Sequence, residues 1–427
     1  MVPIMGPHLS ILETDPAGKT RRRVLYVLIL AAVLFRVAIA AVSIGTDDAR
    51  LFATFAVEIH RFGIVQTYGL DGLFNHPPIV AAWIGLAASL AEKVPHPFGA
   101  FHAFSFIFKL PIITADMLGV WLVWKIWNAR SGPDRAAKAS VAAAWSVCAI
   151  LLSAYHCNTD PAYAVLCLAA VYFMEEKKAF LLAGLALGAA INVKIVPVLL
   201  IPGLLLSCHS IRDGRRFVAG LAVCVLPFLR VLWSEAPSFV HNALAYNSSI
   251  NNWGITALLL AGRLAHGLSE STSPSVEAYH AFGRYVLFAL IGAWAIVARL
   301  LNRWTRYEIA AITFGIFLVF TPGFGVQYVV IIAPLLFAVR PSAAVIYSTA
   351  AGVFAGALYV MHLQRGTFPF QSALGRYPLP ESILGLFAWS ILVSFLVTTL
   401  RRRSAPAIDS AGAGQPPAAS YTSARAA

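Results

Sequence analysis

Two adjacent carboxylates, Asp47 and Asp48, stand just beyond the first apolar run, at the head of the segment GTDDARLFATFAVEIHRFGIVQTYGLDGLFNHPP (residues 45–78). A carboxylate within reach of a hydroxyl is a general base. An acid at the head of a helix is also an ordinary N-cap, and Arg50, Phe52, Phe55, Glu58, Ile59 and Phe62 follow close to helical spacing, so both readings stand. A second polar group is Tyr155-His156-Cys157-Asn158-Thr159-Asp160-Pro161, between two apolar stretches. Asp160-Pro161 reads as an N-cap with proline at the first helical position, which accounts for Asp160 but demands neither His156 nor Asn158. Lys194 is a cation between two apolar runs. It suits a phosphate as a compact point charge, and it equally suits snorkelling to the headgroups. Arg230, Arg263 and Arg284 are further cations of this kind. Tyr246 to Trp253 is rich in amides and aromatics, a surface for sugars or for the membrane interface. In Pro322-Gly323-Phe324-Gly325-Val326-Gln327-Tyr328 the glycines permit a tight turn, which sets Gln327 and Tyr328 at the next helix start. Lys109 and Asp116, seven apart, share a helical face inside an apolar run, where charge is costly and is paired or functional.

The chain that must position these residues has 427 of them, 59% hydrophobic and 12% charged, with mean hydropathy +0.74. Soluble domains are about half apolar and about a quarter charged. Apolar runs recur along the whole length, so the expected class is an all-α polytopic membrane protein. The net charge of +13 does not indicate nucleic acid, because most basic residues fall in short loops between apolar runs, as the positive-inside rule expects. The five cysteines show neither CxxC nor Cys/His spacing, so neither a metal site nor a disulfide framework is expected.

Spans are expected near 24–44, 103–127, 138–153, 160–174, 179–192, 194–208, 217–233, 283–300, 308–321, 325–339, 342–361 and 383–400, about twelve helices. Ala38-Ile39-Ala40 resembles a signal-peptidase site, but the first run is long enough to span and Arg36 interrupts it, so an uncleaved helix is expected. With the basic loops inside, residues 1–23 form a cytoplasmic N-terminal segment, 24–403 the transmembrane catalytic domain and 404–427 a disordered cytoplasmic tail, rich in Ala, Ser, Pro and Gly. Residues 45–102 become the first outer loop. Counting 79–92 as a span would turn every later basic loop outward; residues 77–92 therefore read as a juxtamembrane helix on the outer face, with Pro77 and Pro78 at its start, where prolines are tolerated.

In their order, these residues resemble the GT-C superfamily of membrane glycosyltransferases. The set comprises an acid in the first outer loop, His76-Pro77-Pro78 opening a juxtamembrane helix, a span with Asp116 after Lys109-Leu110-Pro111, His156-x-Asn158-x-Asp160-Pro161, a turn with Lys194, Tyr246 with Trp253-Gly254-Ile255, and Gly323 to Tyr328. The pattern is similar to that of the bacterial family 87 mannosyltransferases and of the endoplasmic-reticulum glucosyltransferases that extend lipid-linked oligosaccharides. The resemblance implies a GT-C-like bundle with juxtamembrane helices in the first outer loop. It implies a hexosyltransferase (EC 2.4 type) that takes a polyprenyl-phosphate sugar as substrate, with no cofactor and no metal, and passes the sugar to a glycan or glycolipid acceptor among membrane lipids. It places the enzyme in the bacterial inner membrane, with its site on the periplasmic face. The base would be Asp48, with Asp47 in reserve. Lys194, His76, Arg284 and Arg263 would hold the donor phosphate, and His156, Asn158, Asp160, Tyr246, Trp253, Gln327 and Tyr328 would line the sugar or acceptor cleft. A lipid or solute transporter, or a GT-C-like glycan polymerase or ligase, are the alternative classes. Transporters carry broken spans and charges near the midplane, whereas here the charges gather at one face.

Overall fold

The computed structural model describes residues 16–97, 99–244, 248, 250–265, 273–364 and 377–401. Among these residues the chain is helical, with no strand. The first part comprises α1 (Pro16–Val42), α2 (Asp47–Phe62), α3 (Ile64–Leu70), α4 (Pro78–Ala91) and α5 (Ala100–Ser131). Next come α6 (Pro133–Ala144), α7 (Val147–Ile150), a π-helical turn Leu151–Tyr155, α8 (Asp160–Glu175), α9 (Phe180–Val193), a 3-10 turn Val196–Leu200 and α10 (Ile201–Leu206). Then follow α11 (Ile211–Val223), α12 (Leu226–Ser234), α13 (Ala236–Phe239) with a π-helical turn Val240–Leu244, α14 (Ile255–Ala265) and α15 (Pro274–Leu301). The chain closes with α16 (Arg306–Phe320), a 3-10 turn Val326–Val330, α17 (Ala333–Val339), α18 (Pro341–Gln364) and α19 (Leu379–Arg401).

Among the described residues, five helices are long and apolar enough to cross a membrane: α1, α5, α15, α18 and α19. Two bent pairs bring the number to seven if each is one span: α6 with Val147–Tyr155, bent by 47°, and α11 with α12, bent by 54°. Of the other apolar runs expected as spans, 160–174, 179–192 and 308–321 form the continuous helices α8, α9 and α16, of 14 to 16 residues. The runs 194–208 and 325–339 each form a 3-10 turn followed by a short helix, with Pro197, Pro202 and Pro334 in them, and proline removes a backbone donor. The 14 residues of α4 extend only about 21 Å, against about 30 Å of hydrocarbon.

Arg36, in the middle of α1, is fully buried and tied to the bend between α6 and α7. Its Nε donates to Asp116 Oδ2 at 2.8 Å and its Nη1 to the Ala144 carbonyl at 2.7 Å. Ser153 Oγ donates to the same Asp116 oxygen at 3.0 Å. Lys109 and Asp116 are therefore separately partnered, for Lys109 Nζ donates to the Ser43 carbonyl at 2.7 Å.

Two hydrophobic cores meet at the site. The larger joins α5 to α9 with α16 to α19. The smaller belongs to the 45–102 segment: Phe52, Phe55 and Ile59 of α2, together with Phe74, pack against Ile84 of α4, Phe108 of α5 and Phe239 of α13. Helical spacing puts the three α2 residues on one stripe; Phe62 continues the stripe but is the last residue of α2 and is exposed. Ile191 and Val193, at the end of α9, touch both cores.

Candidate active site

The approach to Asp48 is fixed by contacts from Ser43 to Thr46. Lys109 holds Ser43 as above, and Ser105 Oγ donates to the Ile44 carbonyl. Gly45 has φ +109°, a conformation open to glycine because it lacks Cβ. Thr46 donates twice to the His156 carbonyl, from N at 3.3 Å and from Oγ1 at 2.9 Å. The 45–102 segment is thus bonded directly to the 155–161 turn, 110 residues away.

That turn reverses at Cys157, φ 65°, a left-handed conformation uncommon outside glycine. The reversal lets two residues of the turn reach one carboxylate. His156 Nε2 lies 3.2 Å from Asp48 Oδ2, and Asn158 Nδ2 donates to the same oxygen. Asn158 Oδ1 accepts from the Asp160 amide at 3.1 Å, tying the turn to the start of α8. The fully buried Asp160 accepts from Lys194 Nζ at 2.6 Å, and Lys194 Nζ also lies 5.2 Å from the centre of the Tyr328 ring.

The two acids of the pair differ in setting. Burial alone would raise the Asp48 carboxyl, but the hydrogen bond and electrostatic pull of His156, the Asn158 hydrogen bond and the Lys194 charge outweigh it and hold the group below its usual 3.8. Its side chain keeps 28% of its surface exposed, so it is ionised and reachable. Asp47 is pushed up to about 6, by burial first and by Asp48 as well, with Arg50 opposing; its Oδ1 is buried without a hydrogen-bond partner. His76 is buried against Phe52, ring centroids 4.8 Å apart. Burial, then the Lys194 charge, lowers it to about 3 against the pull of Asp48. It is a neutral imidazole at working pH and offers a dipole, not a cation.

A cavity of about 520 Å³ is lined by Lys194 and Tyr328. Asn75 and Arg284 add polar groups, while Leu199, Val240, Leu287, Phe288 and Phe317 give it apolar walls. Arg284 Nε is buried with no hydrogen-bond partner. Among the described residues, no group of three or more His, Cys, Asp or Glu side chains converges to hold a metal.

The structure thus joins Asp48, His156, Asn158, Asp160, Lys194 and Tyr328, brings His76 within the fields of Asp48 and Lys194, and sets Arg284 on the same cavity. Gln327, half-buried, folds back toward Gly325. Trp253 differs from its expected surface position. It is 1% exposed, stacked on Phe324 at 4.1 Å and 1°, with its indole N–H given to the Leu318 carbonyl. Tyr246 and the Arg263 side chain lie outside the described residues. Two site residues escaped the sequence reading. Tyr359 on α18 reaches His156 Nδ1 at 2.6 Å, and Tyr377 meets Asn251 at 3.3 Å within the field of Asp48. A tyrosine in or beside an apolar run gives no signal, because such runs carry tyrosine at the membrane interface as a matter of course.

A family model described as Glycosyltransferase family 87 matches residues 74–322, more than half of the chain. The match takes in His76, the 155–161 turn, Lys194 and Arg284, and begins after Asp48. No curated protein matches the chain.

Proposed function

The chain belongs to glycosyltransferase family 87 and is a membrane glycosyltransferase, and from that premise we propose that it moves a mannose-like hexose from a polyprenyl-phosphate donor to a hydroxyl of a lipid-linked or cell-envelope glycan, with Asp48 as general base. The reaction would run at the outer face of the bacterial plasma membrane, within the larger set of about twelve spans that the apolar runs suggest. The observation that carries this reading is the continuity of the site. An ionised, partly exposed Asp48 is linked through Asn158 and Asp160 to Lys194, and Lys194 opens onto an apolar cavity that also holds Arg284. An apolar chamber lined by two cations suits a lipid tail that ends in phosphate.

The acceptor hydroxyl gives its proton to Asp48 as its oxygen bonds to the anomeric carbon. The bond from that carbon to the phosphate oxygen breaks with its electron pair, and polyprenyl phosphate leaves. Lys194 and Arg284 offset the charge that grows on the phosphate, with His76 as a neutral donor. The proton then passes from Asp48 to water. One displacement inverts the anomeric centre. His156 and Asn158 hold the base, and Gln327 and Tyr328 border the sugar.

The test is transfer of label from polyprenyl-phosphate hexoses by the purified enzyme. Asp48→Asn should reduce the rate by at least ~100-fold, the scale of general-base catalysis, while Asp47→Asn stays active. Full activity in Asp48→Asn would place the base elsewhere, and transfer from a nucleotide sugar alone would replace the donor.

A further inference from the structure

The partner of His156 on its far side bears on how the base is controlled. Tyr359 is nearly fully buried on α18, its hydroxyl 2.6 Å from His156 Nδ1 and its ring 5.1 Å from that of Tyr155. A buried phenol hydroxyl has one proton and needs an acceptor for it. Among the described residues, the acceptor within reach is Nδ1. In a neutral imidazole, Nδ1 then carries the lone pair and the hydrogen sits on Nε2. Nε2 faces Asp48 Oδ2, an oxygen that also accepts from Asn158 and has no proton to offer. Both bonds of the imidazole run in one direction, from the Tyr359 hydroxyl to Nδ1 and from Nε2–H to Asp48.

We infer that Tyr359 is a positioning residue that fixes the tautomer of His156 and, through it, keeps Asp48 ionised and aimed. The inference rests on the reading of Asp48 as the base. The other groups that act on Asp48 are Asp47 beside it, His76 ahead of α4, Cys157 and Asp160 in the turn, Lys194 after α9 and Tyr377 ahead of α19. Among the described residues, Tyr359 is the partner of Nδ1. Without its hydroxyl the hydrogen is free to move to Nδ1. Nε2 then turns a lone pair on the carboxylate, which favours a protonated Asp48 that donates back. The base would need a higher pH to be ionised.

Tyr359→Phe keeps the ring and its packing. Its pH–rate profile for sugar transfer should have its acid limb displaced upward by about one pH unit, with a rate near wild type on the alkaline side. In a His156→Gln background, whose amide donates to Asp48 without a tautomer to set, Tyr359→Phe should move nothing further. An acid limb that stays in place, or an equal loss at every pH, would reduce Tyr359 to a packing residue and overturn the inference. In the unmodified protein, nitrogen-15 histidine spectra should show Nε2 protonated and Nδ1 bare for the signal that His156→Gln removes; the reverse pattern overturns the inference without any change at Tyr359. An active Asp48→Asn enzyme would instead defeat the underlying reading of the base.

Discussion

Lys194 Nζ stands 2.6 Å from Asp160 Oδ1, and the carboxylate is wholly buried while the ammonium keeps an edge on the cavity. One cation therefore serves a structural bond and faces the chamber. Removing it alone strands a buried carboxylate, a loss of about 3–5 kcal/mol for pairs of this kind. Lys194→Ala is expected to melt far below wild type in detergent, and Lys194→Ala with Asp160→Ala to recover part of the loss. A cycle of thermal unfolding measurements checks this. Strict additivity of the two changes would show that the pair is not coupled.

Asp47, outside the spanning helices, titrates at about 6 in the fold against an ordinary 3.8. Between those values the folded chain keeps a proton that the unfolded chain has lost, so stability falls as pH rises through the window. Asp47→Asn removes that penalty. Above pH 6 the variant should melt higher than wild type by on the order of 1–2 °C, allowing for the group's solvent screening. Below pH 3.8 the two should coincide. Melting curves at the two extremes decide it, and a variant that is less stable at pH 7 would contradict the assigned burial of Asp47.

Gly45 combines a positive φ with close packing. A Cβ there would stand 2.7 Å from the Tyr155 carbonyl oxygen and 2.9 Å from Cys157 Cβ. Gly63 has φ +83° with nothing within 4 Å, so Gly63→Ala carries backbone strain alone, about 1–3 kcal/mol. Gly45→Ala must in addition push the Asp48 segment away from the turn that holds it. The transfer rate of folded Gly45→Ala should fall by on the order of 100-fold, with Gly63→Ala close to wild type. Equal rates in the two variants would show that the approach of residue 45 to the turn does not matter.

Much of the site was legible because polarity is conspicuous in an apolar chain. Asp48, His156, Asn158 and Lys194 each interrupt runs that would otherwise be lipid-like, and the Phe52, Phe55, Ile59 stripe announced α2. The partners were not legible. Which acid of the pair meets His156 depends on the path of the backbone through Gly45 and Thr46, and no residue type declares that Tyr359 will arrive from 203 positions away. Trp253 misled because amides and aromatics suit a sugar surface and a packed core alike. Asn251 and Asn252 spend their donors on the Phe324 and Tyr377 carbonyls, so the segment braces the core. The apolar runs gave the helices, but not their breaks. A run that carries an internal proline looks the same by hydropathy whether it spans or folds into two short pieces.

The bond from Arg36 to the Ala144 carbonyl has a consequence for how the cleft opens. A bent span leaves carbonyls without amide partners, and in hydrocarbon each would cost several kcal/mol. The guanidinium supplies the missing donor at the 47° bend. Arg36 is itself held by Asp116 and by the Ala32 carbonyl, so the donor is fixed where the carbonyl needs it and the bend is latched. The helix that carries His156 toward Asp48 is accordingly a fixed anvil. If the donor is a long lipid, the give it needs comes instead from elements such as α15, which lines the cavity with Arg284, Tyr285, Leu287 and Phe288 and leaves Phe282 and Val286 exposed.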